Sequence, residues 1–188
     1  MTKNQITKTF LASAVMELSR KKPLSTVTVR DIVHAAGYTR NTFYYHFQDK
    51  QDLINWIYKT TVQSSIGAID QRLDTSIWRD AILKLLQELE AKKYFYENAL
   101  KMTGQNSFYD YLFETTYNHF SNVIELYLQD KSIDDDTIEF FINFYSHAYT
   151  EMTTQWLRSG AKIPADKFMH LLTRATLHGL YKNLNYFS

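Results

Sequence analysis

Apolar residues recur at spacings of three and four through most of this chain, and only five glycines and two prolines interrupt its 188 residues. That period matches one face of an α-helix and not the alternation of a strand, so the spacing predicts an all-α protein. The breaks have local causes. Pro23 in "KKPLS" ends a first helix running from about 4 to 20, because proline donates no backbone hydrogen bond. In that helix Phe10, Leu11, Ala14, Val15 and Leu18 are the expected buried face. Thr28 is placed to cap a second helix with Asp31 three residues on, and Gly37 to close it, since glycine tolerates a left-handed backbone. A short third helix is predicted from Thr39 to His46, and a fourth behind Asp49 with Leu53, Trp56 and Ile57 inward. Longer helices follow at about 75–90, 92–102, 107–129, 134–159 and 165–184, parted by "TGQN", "KSIDDD" and "SGAKIP".

Charge divides the chain unevenly. Residues 1–50 carry eight Lys/Arg against three Asp/Glu, net +5, and the remainder thirteen against seventeen, net −4. The small basic end is therefore the part suited to an anion. Cysteine is absent, which excludes disulfides, thiol nucleophiles and cysteine-held metals and fits a reducing interior. The apolar run "FLASAVM" passes straight into Glu17 and the basic Arg20, Lys21 and Lys22, so it reads as a helix face and not as a signal peptide. No stretch approaches the roughly 20 apolar residues of a membrane span. A cytoplasmic protein without membrane contact is expected.

The stretch "GYTRNTFYYHFQDKQDL" concentrates the chemistry. Two helices joined at Gly37, the second short and rich in hydrogen-bonding side chains, describe a helix-turn-helix, whose second helix enters the DNA major groove. Phe43 and Phe47 lie four apart and should dock inward, which turns Arg40, Asn41, Tyr44 and Tyr45 outward. Arginine can grip guanine through two bonds, asparagine can read adenine, and tyrosine offers a hydroxyl for phosphate and a ring edge for a thymine methyl. Thr28, Thr39, Thr42, His46 and Lys50 complete the candidate DNA-binding set, with Thr28, His46 and Lys50 suited to phosphates.

The run "TVTVRDIVHAAGYTRNTFYYHFQDKQDL" resembles the DNA-binding head of the TetR family of bacterial transcription regulators. The matching positions are Thr28, Ile32, Ala36, Gly37, Thr39, Thr42, Phe43, Tyr44, His46, Phe47, Lys50 and Leu53. Tyr38, Val33 and Asn41 depart from the usual residues, and Tyr38 and Asn41 bear on which bases are read. The resemblance implies a helix-turn-helix DNA-binding domain at 1–48 and a helical regulatory and dimerisation domain at 49–188. It also implies a homodimer on a near-palindromic operator of double-stranded DNA, with half-sites roughly 34 Å apart, governed by a small-molecule effector. A second stretch, "YFYENALKMTGQNSF", is similar to the branch labelled dihydroxyacetone kinase regulators. That likeness implies an alternative in which the same head belongs to an activator controlled by a partner protein.

In this family the last two long helices form the dimer's four-helix bundle. On this chain the candidate interface is Phe141, Tyr145, Ala148 and Met152, with Phe168, Leu172, Ala175 and Gly179 on the final helix. Trp56, Phe95, Phe113, Tyr117, His119 and Phe120 are the candidates for an effector pocket, against the plainer reading that aromatic stripes are core. The six histidines make no His-Glu-x-x-His and the glycines no phosphate-cradling loop, so no metal, cofactor or enzymatic activity is expected. Glu88, Glu90, Glu114 and Glu125 read as solvated helix faces. An all-helical interaction or small-molecule-binding module with no DNA role is the alternative of another class, and the opening motif argues against it.

Overall fold

A computed structural model describes residues 2–66, 75–127 and 133–175. The described elements are α1 (Lys3–Ser19), a 3-10 turn (Leu24–Thr26), α2 (Val29–Ala36), α3 (Arg40–His46), α4 (Lys50–Ile66), α5 (Thr75–Ala91), α6 (Lys93–Ala99), α7 (Phe108–Tyr127) and α8 (Asp135–Arg158). A further helix, α9, occupies 165–175. The all-α expectation holds, and among the described residues there is no strand. The predicted helix starts and ends lie within a few residues of those observed. Gly179 and the end of the helix expected at 165–184 lie outside the described residues.

The caps explain this agreement. Thr28 accepts from the Asp31 amide at 3.2 Å and Asp31 accepts from the Thr28 amide at 2.9 Å, so each satisfies an orphan donor of the other. Lys22 adds an ion pair to Asp31 at 2.8 Å, and together these partners hold the Asp31 carboxyl well below the usual carboxylate range. Asp49 and Asp52 start α4, the Asp52 amide donating to Asp49 at 2.8 Å and the Gln48 amide to Asp52 at 3.0 Å. Asp134 accepts from the Thr137 amide at 2.9 Å and starts α8, and that bond holds its carboxyl below its ordinary value. One carboxylate departs from expectation. Glu90 does not merely face solvent but accepts from the Ala165 amide at 3.3 Å, closing the N-terminus of α9 from a helix far away in sequence.

One apolar cluster runs from the N-terminal helices into the rest of the molecule. Leu11, Val15, Leu24, Ile32, Phe43 and Leu53 are wholly buried, and the same cluster continues through Tyr96, Phe108 and Leu157 to Phe168 and Leu172. A smaller cluster of Phe120, Ile124, Phe141, Ile142 and Tyr145 fills the seam between α7 and α8. Phe10 is a correction to the sequence reading, being 56% exposed, with its ring 6.4 Å from that of Tyr38. It sits one position before Leu11, and the helix turns that position past the edge of the core.

Candidate nucleic-acid interface and core cavity

The head is positioned by its turn. Gly37 adopts φ +71°, and the Tyr38 amide bonds the Val33 carbonyl at 2.8 Å, so the chain leaves α2 through a left-handed residue and re-enters helix at once. Thr39 caps α3 by accepting from the Thr42 amide at 3.2 Å, and the two threonine hydroxyls bond each other at 2.9 Å. Phe43 is wholly buried and Phe47 nearly so, their rings 5.7 Å apart. Burying one such ring contributes roughly 1.5–3 kcal/mol. With that face docked, Arg40, Asn41 and Tyr44 are exposed and Tyr45 reaches 80% exposure. Thr28 and Thr39 are also exposed, and Thr42 and His46 half-buried. Burial, with the nearby Lys8 ammonium, lowers the His46 pKa, and its ring meets Tyr45 edge-on at 4.9 Å.

Lys50 is engaged differently from the expectation of a free phosphate contact. Its ammonium donates to the carbonyl of Val27 at 2.6 Å and to that of Leu24, which ties the first residue of α4 to the turn before α2. Desolvation there lowers its pKa. Trp56, one of the expected pocket residues, lies at the same joint. Its ring is 5.8 Å from Phe47, and the Lys8 ammonium stands 5.8 Å above it.

A cavity of about 170 Å³ lies between α4, α5, α7, α8 and α9. Its described lining includes Tyr58, Val62, Leu86, Leu89, Leu112, Thr115, Thr116, His119, Phe120, Val123, Tyr149 and Met169. Two of the six aromatic candidates, His119 and Phe120, are among them. Trp56, Phe95, Phe113 and Tyr117 are not. Phe95 is buried beside Tyr96, their rings 5.2 Å apart, and Phe113 packs on His147 at 4.5 Å with Tyr117 beyond it at 6.1 Å. The reason is geometric. Trp56, Phe95, Phe113 and Tyr117 fill the space they point into, and the cavity runs along the stripe of α7 that carries Leu112, Thr116, His119 and Val123 at spacings of four, three and four. That spacing was the sequence signal for it. Burial pushes the His119 imidazole down to about 4, so it stays neutral at physiological pH.

The expected interface residues also divide. Phe141 and Tyr145 are buried in this chain's own core, Tyr145 stacked on Phe120 at 5.8 Å. Phe168 stacks on Trp156 at 4.7 Å, and Leu172 lines the cavity. Ala148 is half-buried, and Met152 and Ala175 are exposed. The exposed apolar row of α8 is therefore Phe140, Phe144 and Met152, with half-buried Ala148 between the last two, and Leu171 is exposed on α9. Phe140 and Phe144, at 63% and 55% exposure, stack on each other at 6.1 Å.

A glycine-turned pair of helices on a larger helical body defines a helix-turn-helix protein. Residues 11–57 match the family of bacterial regulatory proteins, tetR family, and residues 76–178 match a transcriptional regulator C-terminal region. The chain belongs to the TetR family of transcriptional regulators. It is 30% identical over 97 residues to the dhaKLM operon transcriptional activator DhaS of Lactococcus lactis, a match covering 52% of this chain and 50% of that one. It is 29% identical over 85 residues to the transcriptional regulator AcrR of Shigella flexneri, covering 45% of this chain and 39% of the relative. The matched stretches thus span half or less of these relatives. Among solved structures, the dihydroxyacetone kinase operon activator DhaS superposes with a TM-score of 0.72 at 20% identity, over 97% of this chain and 98% of that one. NalD, the secondary repressor of the MexAB-OprM multidrug efflux pump in Pseudomonas aeruginosa, gives 0.58 at 19% identity, over 93% and 97%. Both share the fold. Among the described residues no helix is long and apolar enough to cross a membrane.

Proposed function

We propose that this regulator is a non-enzymatic, cytoplasmic homodimer that binds a near-palindromic operator through residues 1–48 and answers to a small molecule held by residues 49–188. In this reading Arg40, Asn41, Tyr44 and Tyr45 meet base edges, while Thr28, Thr39, Thr42 and His46 meet phosphates. Lys50 acts through the brace it makes and not through DNA. The two copies join through the exposed row of α8 and the exposed side of α9, Phe140, Phe144, Met152, Leu171 and Ala175, with Ala148 between them.

The observation that carries the proposal is the reach of α4. Its first turns supply Leu53, Ile54 and Trp56 to the packing beneath the head, and its last turns supply Tyr58, Val62 and Ile66 to the cavity wall. An occupant that displaces the second half of one helix also displaces the first. Two heads held at a fixed separation then lose register with the operator.

Selection of bound fragments from a random DNA pool, with purified protein at near-physiological salt, tests the reading. An enriched near-palindrome bound by two copies is the expected result. Weak salt-sensitive binding with no enriched sequence would overturn it.

A further inference from the structure

The cavity's chemistry narrows what its occupant can be, an inference that rests on reading this space as the effector site. Its volume of about 170 Å³ compares with the roughly 150 Å³ of an engineered apolar cavity that stays dry and takes benzene. That is room for one compact ring and its substituents. The wall is mostly hydrocarbon, with Leu86, Leu89, Leu112, Val123, Met169 and Leu172 all contributing.

Two of the wall's hydroxyls are committed within their own helix. The Thr115 hydroxyl donates to the Tyr111 carbonyl and the Thr116 hydroxyl to the Leu112 carbonyl, both at 2.8 Å, so their protons are spent within α7. Arg79 is the charged residue among the described lining, and it is exposed, 3.9 Å from Asp80. A molecule carrying several hydroxyls would set most of them against hydrocarbon here, and an ionised acid would give up its hydration without a buried countercharge. His119 is neutral in the folded state and adds no charge to the wall.

We propose that the cavity takes an uncharged, ring-sized, predominantly apolar molecule and rejects polyols and ionised acids. Occupation bridges α7 to α4 through Val123 and Val62, which stabilises the folded state and shifts the helix that carries the head.

Thermal unfolding of the full chain at pH 7 with four probes tests this: p-cresol, indole, glycerol and benzoate. At about ten times the dissociation constant a binding probe raises the midpoint by roughly 3 to 6 °C. The expected result is a rise with p-cresol and indole and none with glycerol or benzoate at equal concentration. Val123→Phe, which fills the space, should weaken the p-cresol response at least tenfold. Val123→Ala, which enlarges it, should favour indole over p-cresol and serves if the larger residue is not tolerated. A rise with glycerol or benzoate, silence with both apolar probes, or a response untouched by both substitutions would overturn the proposal. The same preparation assayed on DNA keeps the two readings apart. Operator binding with no probe response removes the ligand class alone, whereas no operator binding removes the regulatory reading beneath it.

Discussion

In the head, Leu11, Val15, Leu24, Ile32 and Phe43 are wholly buried, reciprocal side-chain caps start α1 and α2, and Asp49 and Asp52 accept from amides at the start of α4. In the body, α7 and α8 enclose part of an open cavity, and Ser146 and Thr150 hold buried hydroxyls with no hydrogen-bond partner. The head's packing fixes one short helix, the rigid platform from which Arg40 and Tyr45 would meet bases in the proposed reading. The body leaves room in its interior, which in the proposed reading an occupant fills. In the proposed reading the two kinds of interior serve a surface held still and a signal that moves it, and α4 joins them.

Phe43→Ala tests the head's packing most directly. It should cost about 3–5 kcal/mol of folding stability, measured by chemical denaturation, since a wholly buried ring leaves a void the capped head cannot close. A loss under about 1 kcal/mol would mean the head around Phe43 is not closely packed.

The body has its own signature in pH. The His119 pKa lies near 4 when folded and near 6.5 when not, so between those values the unfolded chain binds a proton that the folded chain refuses. The associated stability is complete above about pH 6.5 and is lost as pH falls toward 4, roughly 3 kcal/mol in all. His119→Gln should flatten that slope relative to the unsubstituted protein. An unchanged slope would remove burial of this imidazole from the account.

At the joint, Lys50→Met removes two bonds from a charged donor to backbone carbonyls and should cost about 2 kcal/mol of stability. It should weaken binding to all DNA sequences alike while leaving the salt dependence unchanged. A salt slope reduced by about one would mean Lys50 neutralises a phosphate after all.

On the head's surface the effects are smaller and belong to DNA alone. Arg40→Ala or Tyr45→Ala should lose about 1–3 kcal/mol of operator binding and relax sequence preference, with stability changed by less than about 0.5 kcal/mol. Equal losses on operator and random DNA would take either residue out of base reading. Smallest of all, Thr150→Val should raise stability by about 1 kcal/mol, because it removes a buried hydroxyl that nothing satisfies. Destabilisation there would show a hydrogen bond the body depends on.

Much of this molecule was legible in its sequence because much of its order is local. Thr28 with Asp31, Gly37, Thr39 and Asp134 act over three or four residues, and each marks a helix boundary within a residue or two of where it lies. The docked pair Phe43 and Phe47 fixed which residues of α3 face out by the helical period alone.

What lay beyond the sequence depended on partners far along the chain. The sequence could not tell that Phe141 and Tyr145 turn into the seam with α7 while Phe140 and Phe144 stay outside, because α8 is apolar on both sides. Nor could it show that Lys50 would reach carbonyls 23 and 26 residues back, or that Glu90 would cap a helix 75 residues on. The cavity is the sharpest case. Aromatic composition drew attention to six rings, yet four of them fill space elsewhere in the core, and of the six only His119 and Phe120 border the opening, beside Leu112, Thr116 and Val123. Helix boundaries and the outward face of α3 follow from residues a turn apart and are written in the sequence. Which of two apolar faces is buried, and where the packing leaves room, is decided only when all the helices compete for the same volume.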